Sequence, residues 1–140
     1  MKRAQQPPMQ RLIDAARAAR KYGYAPYSGY RVGAAVLTQS GKIFSGCNVE
    51  NASYGATVCA ERNAIAQMIV AGESDPVACA VVTEGRKPGS PCGICRQVLA
   101  EFALDMPIAL VGESGGKRRR EDTTLAALLP HAFRLPRPGK

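Results

Sequence analysis

Two cysteines in the segment Pro91-Cys92-Gly93-Ile94-Cys95 have the spacing of a metal-binding pair. At the junction of a loop and a helix, thiolates at this spacing can point the same way, which suits one tetrahedral zinc ion. A redox pair would need a thioredoxin-like context, which the chain lacks, and a structural zinc knuckle would need a second pair. Cys59 supplies a third sulfur, but no second cysteine follows it at short spacing.

The residue that follows Cys59 at short spacing is an acid, Glu61. Three protein ligands leave the fourth position of a tetrahedral zinc open to water, and the bound ion lowers the pKa of that water to about 7. In the first turn of a helix, Glu61 can lie beside the metal without binding it and can transfer protons. This arrangement is typical of a catalytic zinc site.

The predicted ligands also fall where a helix can stabilise negative charge. Cys59 and the Cys92 pair each fall at the N-terminus of a predicted helix, and helix N-termini stabilise thiolates through their free N–H groups and dipole. Arg62 is placed to donate a hydrogen bond to a ligand sulfur. Position alone leaves open the alternative that Arg62 is an exposed surface residue.

The remaining cysteines and the single histidine are not predicted to be ligands. Cys79 lies inside the apolar run 77–82 and is predicted to be a core thiol. Cys47 lies at the end of a predicted strand, where it could act as a fourth ligand and close the site. We favour the open site. His131 is not expected to bind metal, because three cysteines already complete the ligand set.

Helical and strand-like patterns alternate along the chain. The predicted elements are a helix at 9–22, strands at 30–38 and 42–49, a helix at 58–70, a strand at 77–82, a helix at 93–103, a strand at 107–111, a turn at 112–117 and a short helix capped by Thr123 or Thr124. The order predicts an α/β fold, a three-layer sandwich whose mixed sheet of about five strands has helices on both faces.

Length and composition predict one domain over residues 1–140. A chain of 140 residues with 46% apolar content can bury one core. We expect a loose basic N-terminal segment at about 1–8 and a loose tail at about 134–140. No apolar stretch is long enough for a secretory signal or a membrane span, so we expect a cytoplasmic protein with no membrane partner.

The net charge of +8 is unevenly distributed. Residues 24–116 contain six basic and eight acidic side chains, so the basic excess lies in the two flanks, outside the motifs. The run from Lys117 to Arg120 is predicted to be a solvated turn. We therefore do not expect a nucleic-acid partner.

The motif Cys59-Ala60-Glu61, combined with Pro91-Cys92-Gly93-Ile94-Cys95, matches the all-cysteine form of the zinc nucleobase deaminase signature. Other blocks extend the match: Ala25-Pro26-Tyr27-Ser28, Val32-Gly33-Ala34-Ala35, the segment 46–55, Cys95-Arg96-Gln97-Val98-Leu99 and Leu128-Leu129-Pro130. With these blocks the chain resembles the small homotetrameric cytidine deaminases from about Leu12 to Phe133.

The resemblance implies a hydrolase of pyrimidine salvage that converts cytidine and 2′-deoxycytidine to uridine and 2′-deoxyuridine and releases ammonia. It implies one zinc ion per subunit, held by Cys59, Cys92 and Cys95, with Glu61 as the catalytic proton carrier. It also implies a cytidine deaminase-like fold and a homotetramer whose active sites are shared between subunits.

The resemblance further implies a set of substrate-binding residues. Asn48 and Glu50 match the pair that binds the ribose hydroxyls, and Ala60 is expected to contact the substrate. Tyr30 falls where the family usually has a phenylalanine that packs on the pyrimidine ring. Phe133 matches an aromatic residue that reaches the site from a neighbouring subunit. For Tyr30 and Phe133, ordinary core packing is the alternative.

Two departures from the family pattern and two rival functions stay open. His131 stands where many relatives have a small residue, and the run 117–120 has no role in the family. One rival is a deaminase of another aminopyrimidine, such as the antibiotic blasticidin S, although the pair Asn48 and Glu50 favours a ribose. The other is a structural-zinc nucleic-acid-binding module, which the basic flanks suggest and in which Glu61 would be dispensable.

Overall fold

The computed structural model describes residues 8–138, which form five strands and four α-helices. The elements in chain order are α1 Met9–Arg20, β1 Gly33–Thr38, β2 Ile43–Cys47, a 3₁₀ turn Tyr54–Ala56, α2 Ala60–Val70, β3 Pro76–Glu84, α3 Gly93–Phe102, β4 Pro107–Ser114, β5 Lys117–Thr124 and α4 Leu125–Leu128. No helix in this range combines the length and apolar character needed to cross a bilayer.

The five strands form one mixed sheet in the order β2-β1-β3-β4-β5. Strands β3 and β4 are parallel and are joined by α3, while all other neighbours are antiparallel. Helix α1 packs on one face, and α2 packs on the other face with α3 and α4 beside it. The predicted three-layer sandwich with helices on both faces is confirmed.

The central strands are apolar on both sides because each face is covered by a helical layer. In β1, Ala34 and Val36 pack in the cluster with α2 and α3, whereas Ala35 and Leu37 pack against α1. The same alternation runs through β3, where Cys79 is fully buried on the α2 face. Cys79 is therefore a core thiol, as predicted.

Strand β1 begins at Gly33, three residues later than predicted. Before that point the Tyr30 carbonyl and the Val32 N–H are hydrogen-bonded to a side chain rather than to a neighbouring strand. The Asn48 amide donates to the Tyr30 carbonyl oxygen over 2.8 Å and accepts from the Val32 N–H over 3.0 Å. Side-chain amides can satisfy main-chain groups in this way. Tyr30 is consequently held outside the sheet, at the edge of a cavity described below.

Helix α2 begins at Ala60, two residues later than predicted, because Val58 is held extended. The N–H and carbonyl groups of Val58 pair with those of Val49 at 3.0 and 2.9 Å. On its other side, the segment 48–50 pairs with Tyr24. Cys59 therefore serves as the N-cap of α2 in an extended conformation and lies next to the segment that carries Asn48 and Glu50.

The predicted turn at 112–117 is wrong in extent, because the run Lys117 to Arg120 belongs to strand β5. The turn itself is Gly115-Gly116, both with positive φ, between the paired residues Ser114 and Lys117. A two-residue glycine turn is a strong hairpin signal. Strand β5 was not predicted because its sequence lacks apolar alternation. It is an exposed edge strand, and its charged side chains oppose pairing with another chain.

The ends of the described chain bear on three further predictions. Thr124 is the N-cap of α4 and accepts from the Ala127 N–H over 3.1 Å. Helix α1 ends at Arg20 rather than Tyr22. The predicted loose N-terminal segment lies outside the described residues except for Pro8, as do residues 139–140. Residues 134–138 belong to no helix or strand. The single-domain organisation with loose ends stays a prediction.

Close packing between β2 and α2 fixes the distance between the sheet and the helix that carries Glu61. A Cβ atom on Gly46 would lie 2.5 Å from the Ala64 nitrogen and 2.7 Å from the Ala60 oxygen. Real Cβ atoms do not approach backbone this closely, so a side chain at Gly46 would push the first turns of α2 away from the sheet.

We therefore predict that Gly46→Ala lowers the free energy of unfolding by about 1 to 3 kcal/mol, the usual cost of overpacking. Gly55→Ala is the matched control, because a Cβ there meets no atom within 4 Å, and a change within about 0.5 kcal/mol is expected. Chemical denaturation measures both. Equal stability of the two variants would contradict the close-packing argument.

Candidate active site

The thiols of Cys59, Cys92 and Cys95 converge at one point, where the first turns of two helices meet. Their three Sγ atoms all lie within 4.8 Å of one another, and those of Cys59 and Cys92 are 3.8 Å apart. Two sulfurs of a tetrahedral zinc site lie about 3.8 Å apart, because each zinc–sulfur bond is about 2.3 Å. The donor set therefore fits zinc.

No fourth cysteine, histidine or carboxylate joins this cluster among residues 8–138. Cys47 lies at the end of β2, outside the group, and its carbonyl oxygen accepts from the Asn63 side chain over 2.8 Å. Three protein ligands without a fourth are characteristic of a catalytic rather than a structural zinc site.

Each of the three cysteines lies at the start of a helix. Cys59 and Cys92 are the N-caps of α2 and α3, and Cys95 lies in the first turn of α3. The cysteines thus lie at the positive ends of both helix dipoles, which favours thiolates over thiols.

Arg62 lies against the same sulfurs. Its Nη2 atom is 3.6 Å from the Cys59 Sγ and donates to the Thr57 carbonyl oxygen over 3.2 Å. The side chain is half-buried, so this contact differs from that of a fully exposed surface arginine. A guanidinium in this place offsets part of the negative charge of three thiolates around one divalent ion.

Hydrogen bonding within the cluster separates the pKa values of its thiols. The Cys95 thiol donates to the Cys59 sulfur, and together with Arg62 this lowers the pKa of Cys59 to about 5. The same contact, together with burial, raises the pKa of Cys95. Of these two thiols, Cys59 forms the thiolate more readily, which suits it to binding a cation.

Glu61 is buried beside the three sulfurs, with only 4% of the residue exposed. Burial raises the pKa of its carboxyl group, and the negative charge of Cys59 adds to this effect. Because Cys59 is an extended N-cap rather than a helical residue, the two side chains can converge although they are only two positions apart. A carboxyl group with a raised pKa next to a metal site is suited to proton transfer at neutral pH.

A cavity of about 270 Å³ opens onto Glu61, Cys59 and Cys92. Its lining contains five of the residues predicted from the sequence to bind or transform substrate: Tyr30, Asn48, Glu50, Ala60 and Glu61. Seven more lining residues were not predicted from the sequence to belong to the site: Ser28, Val32, Thr57, Val81, Thr83, Gly89 and Ser90. All of these except Val81 and Thr83 lie within three residues of a predicted site residue, and this is the one signal that could have indicated them.

The Glu50 carboxylate is held rigidly at the mouth of the cavity. Its Oε1 accepts from the Tyr27 and Ser28 N–H groups over 2.9 and 3.1 Å, and its Oε2 accepts from the Ser28 hydroxyl. The Ser28 hydroxyl is the main cause that lowers the pKa of Glu50. Glu50 is therefore a preorganised anionic acceptor, and the buried Asn48 beside it retains one amide hydrogen beyond its bond to Tyr30.

The two predicted aromatic residues lie in different surroundings. Tyr30 lines the cavity with its hydroxyl next to Gly89, where a Cβ would come within 2.7 Å of the Tyr30 oxygen. Phe133 is 67% exposed and does not line the cavity of its own chain. Its carbonyl oxygen accepts from the Gln97 side chain over 2.9 Å, which holds the backbone of the C-terminal segment against α3.

Comparisons with known proteins agree with this geometry. Residues 7–111 match the family model described as the cytidine and deoxycytidylate deaminase zinc-binding region. A cytidine deaminase of Sporosarcina psychrophila is 45% identical over 126 residues, covering 89% of this chain and 90% of its own. One from Mycobacterium tuberculosis is 40% identical and covers 80% and 79%.

The fold comparison gives the same result. The crystal structure of cytidine deaminase from Burkholderia pseudomallei matches with a TM-score of 0.82 and 46% identity, covering 89% of this chain and 98% of that one. The cytidine deaminase structure from Mycobacterium tuberculosis has a TM-score of 0.74 at 38% identity. The chain therefore belongs to the cytidine and deoxycytidylate deaminase family and carries its zinc-binding region.

Proposed function

We propose that this protein catalyses the hydrolytic deamination of cytidine and 2′-deoxycytidine to uridine and 2′-deoxyuridine, with release of ammonia. The observation that carries the proposal is the buried Glu61 carboxyl group beside a cluster of three cysteines at the end of a small cavity. Zinc held by Cys59, Cys92 and Cys95 supplies water activation at neutral pH, because the bound ion lowers the pKa of water to about 7.

Glu61 carries the protons that the reaction moves. It accepts a proton from the attacking water and delivers one to N3 of the base as the new bond to C4 forms. It then takes the proton of the new C4 hydroxyl and delivers it to the exocyclic nitrogen as the bond from C4 to that nitrogen breaks, so that ammonia leaves and the uracil carbonyl forms. Burial raises the pKa of the Glu61 carboxyl group, which favours its uptake of a proton from water.

Glu50 and Asn48 select a ribose in this proposal. Glu50 accepts a hydrogen bond from the 3′-hydroxyl, and the lone pairs left by Tyr27 and Ser28 allow this. A phosphate at that oxygen would remove the donor and bring negative charge against the carboxylate. The site therefore favours a free nucleoside over a polynucleotide, while Tyr30 and Ala60 contact the base.

The role of Glu50 predicts how the enzyme responds to the loss of a single substrate hydroxyl. For 3′-deoxycytidine, kcat/KM should fall about 10- to 100-fold relative to cytidine, because a hydrogen bond to a charged acceptor contributes about 1.5 to 3 kcal/mol. The control is 2′-deoxycytidine, which keeps the 3′-hydroxyl and should remain a good substrate. Equal rates for cytidine and 3′-deoxycytidine would contradict the assignment of Glu50.

The role of Glu61 predicts a separation of metal binding from catalysis. Glu61→Gln should keep a full zinc content, while turnover of cytidine falls by about 10²- to 10⁴-fold because the proton carrier is lost. Glu101→Gln, on the exposed side of α3, is the control and should be fully active. Metal analysis and an ultraviolet assay test both variants, and substantial activity in Glu61→Gln would refute the mechanism.

A homotetramer with shared active sites is also part of the proposal. Phe133 is exposed and lies outside the cavity of its own chain, as expected for a residue that completes a neighbour's site. An apolar groove of about 880 Å³ between α1 and α2 runs beside the free edge of β2 and includes the exposed side chains of Tyr22 and Val70. Uncovered apolar surface of this kind favours contact with further copies of the chain.

Shared sites predict complementation between two defective subunits. Phe133→Ala should impair the neighbour's site, whereas Glu61→Gln inactivates its own. Tetramers assembled from a mixture should contain some sites with an intact Glu61 and an intact Phe133, so the mixture should exceed the mean activity of the separate variants. Activity equal to that mean in mixed tetramers, or an active monomer in sedimentation analysis, would contradict shared sites.

A cytoplasmic location completes the proposal. All five cysteines are unpaired, which suits a reducing compartment.

The basic strand β5 offers little support for a nucleic-acid partner, because Arg118 is paired with Glu113 and Arg120 with Asp122.

A further inference from the structure

Arg96, in the second turn of α3, connects the loop before Cys92 to the C-terminal segment. Its Nε atom donates to the Pro91 carbonyl oxygen over 2.8 Å, and its Nη2 atom donates to the Ser90 hydroxyl over 2.9 Å. Its Nη1 atom donates to the Leu128 carbonyl oxygen over 2.6 Å, at the end of α4. One guanidinium thus joins three separate acceptors from two parts of the chain.

The Ser90 and Pro91 contacts fix the backbone that carries a predicted zinc ligand. Pro91 is buried and directly precedes Cys92, which is the most exposed of the three cysteines. The Arg96 N–H also donates to the Cys92 carbonyl oxygen over 3.0 Å. That last contact is the ordinary main-chain bond of the first helical turn. Because few neighbours surround the Cys92 side chain, the position of its sulfur depends on the backbone, which the Arg96 side chain holds at Ser90 and Pro91.

The Leu128 contact links the same loop to the segment that we call the C-terminal arm, residues 128–137. The next residue of α3, Gln97, holds the arm through the Phe133 carbonyl oxygen. Three consecutive residues of α3 therefore have different roles. Cys95 belongs to the three-cysteine cluster, Arg96 bonds to the loop before Cys92, and Gln97 bonds to the arm.

We propose that Arg96 is the positioning residue for Cys92, and that its bond to Leu128 serves to hold the guanidinium in place. The inference rests on the proposed function, since it assigns Arg96 to the same metal site, but Arg96 itself touches neither the three sulfurs nor the cavity. A planar guanidinium with donors in a rigid fork can reach all three acceptors at once, whereas a lysine ammonium cannot. Partners that orient metal ligands typically change metal affinity 10- to 100-fold when they are removed.

The test measures zinc affinity by competition with a chromophoric chelator, together with the melting temperature of the zinc-free protein. Arg96→Met and Arg96→Lys should both bind zinc about 10- to 100-fold more weakly than the wild type. Arg134→Met is the matched control, because Arg134 lies in the arm and donates to the Glu101 carbonyl oxygen at the far end of α3. Its zinc affinity should be unchanged.

Several results would overturn the inference. Wild-type zinc affinity in Arg96→Met would do so, as would a lowered melting temperature with intact affinity, since that indicates a purely structural role. Full zinc affinity in Arg96→Lys would also overturn it, because a positive charge without the guanidinium fork would then be enough to position Cys92. If Arg96→Met does not fold, the Lys variant decides the question.

Zinc affinity is measured without substrate, so this test is independent of turnover. A wild-type protein that releases no ammonia from cytidine would contradict the proposed function and leave the Arg96 measurement valid. Unchanged zinc affinity in the Arg96 variants would overturn this inference even in a fully active enzyme.

Discussion

The structure depends on one electrostatic constraint: three sulfurs that must carry negative charge are brought together at the edge of a buried core. Three thiolates around a divalent cation leave a net negative charge, which is costly in a site with little water. The fold meets this cost with two helix N-termini, those of α2 and α3, and with the Arg62 guanidinium against Cys59. The first turns of α2 and α3 must therefore lie side by side, and both helices pack on the same face of the sheet.

The substrate side of the cavity is organised by main-chain contacts in the segment 48–50 rather than by regular structure. This segment pairs with Tyr24 on one side and with Val58 on the other, and the Asn48 amide replaces the missing strand bonds of Tyr30 and Val32. The same contacts hold Cys59 extended and bring Glu50 to the cavity. The extended residues before α2 and the segment that carries Asn48 and Glu50 are thus joined directly by main-chain hydrogen bonds.

Much of the catalytic centre could be predicted because its chemistry depends on residue type and short spacing. Cys59, Glu61 and the Cys92 pair are recognisable in the sequence, and the apolar runs predicted the central strands. Strand β5 could not be recognised, since an exposed edge strand needs no apolar face, although its Gly-Gly turn was visible. The late starts of β1 and α2 depend on contacts with residues distant in sequence, which periodicity does not reveal. The contacts of Arg96 belong to the same class.

A zinc ion at the three-cysteine cluster makes this protein a cytidine deaminase. The most direct measurement follows the absorbance of cytidine and the release of ammonia with zinc-loaded, chelator-treated and zinc-restored protein. We predict equal amounts of uridine and ammonia from the loaded protein, loss of activity after chelation and its return with zinc. Deamination that persists after complete zinc removal, or a zinc-loaded protein that leaves cytidine unchanged, would contradict the account.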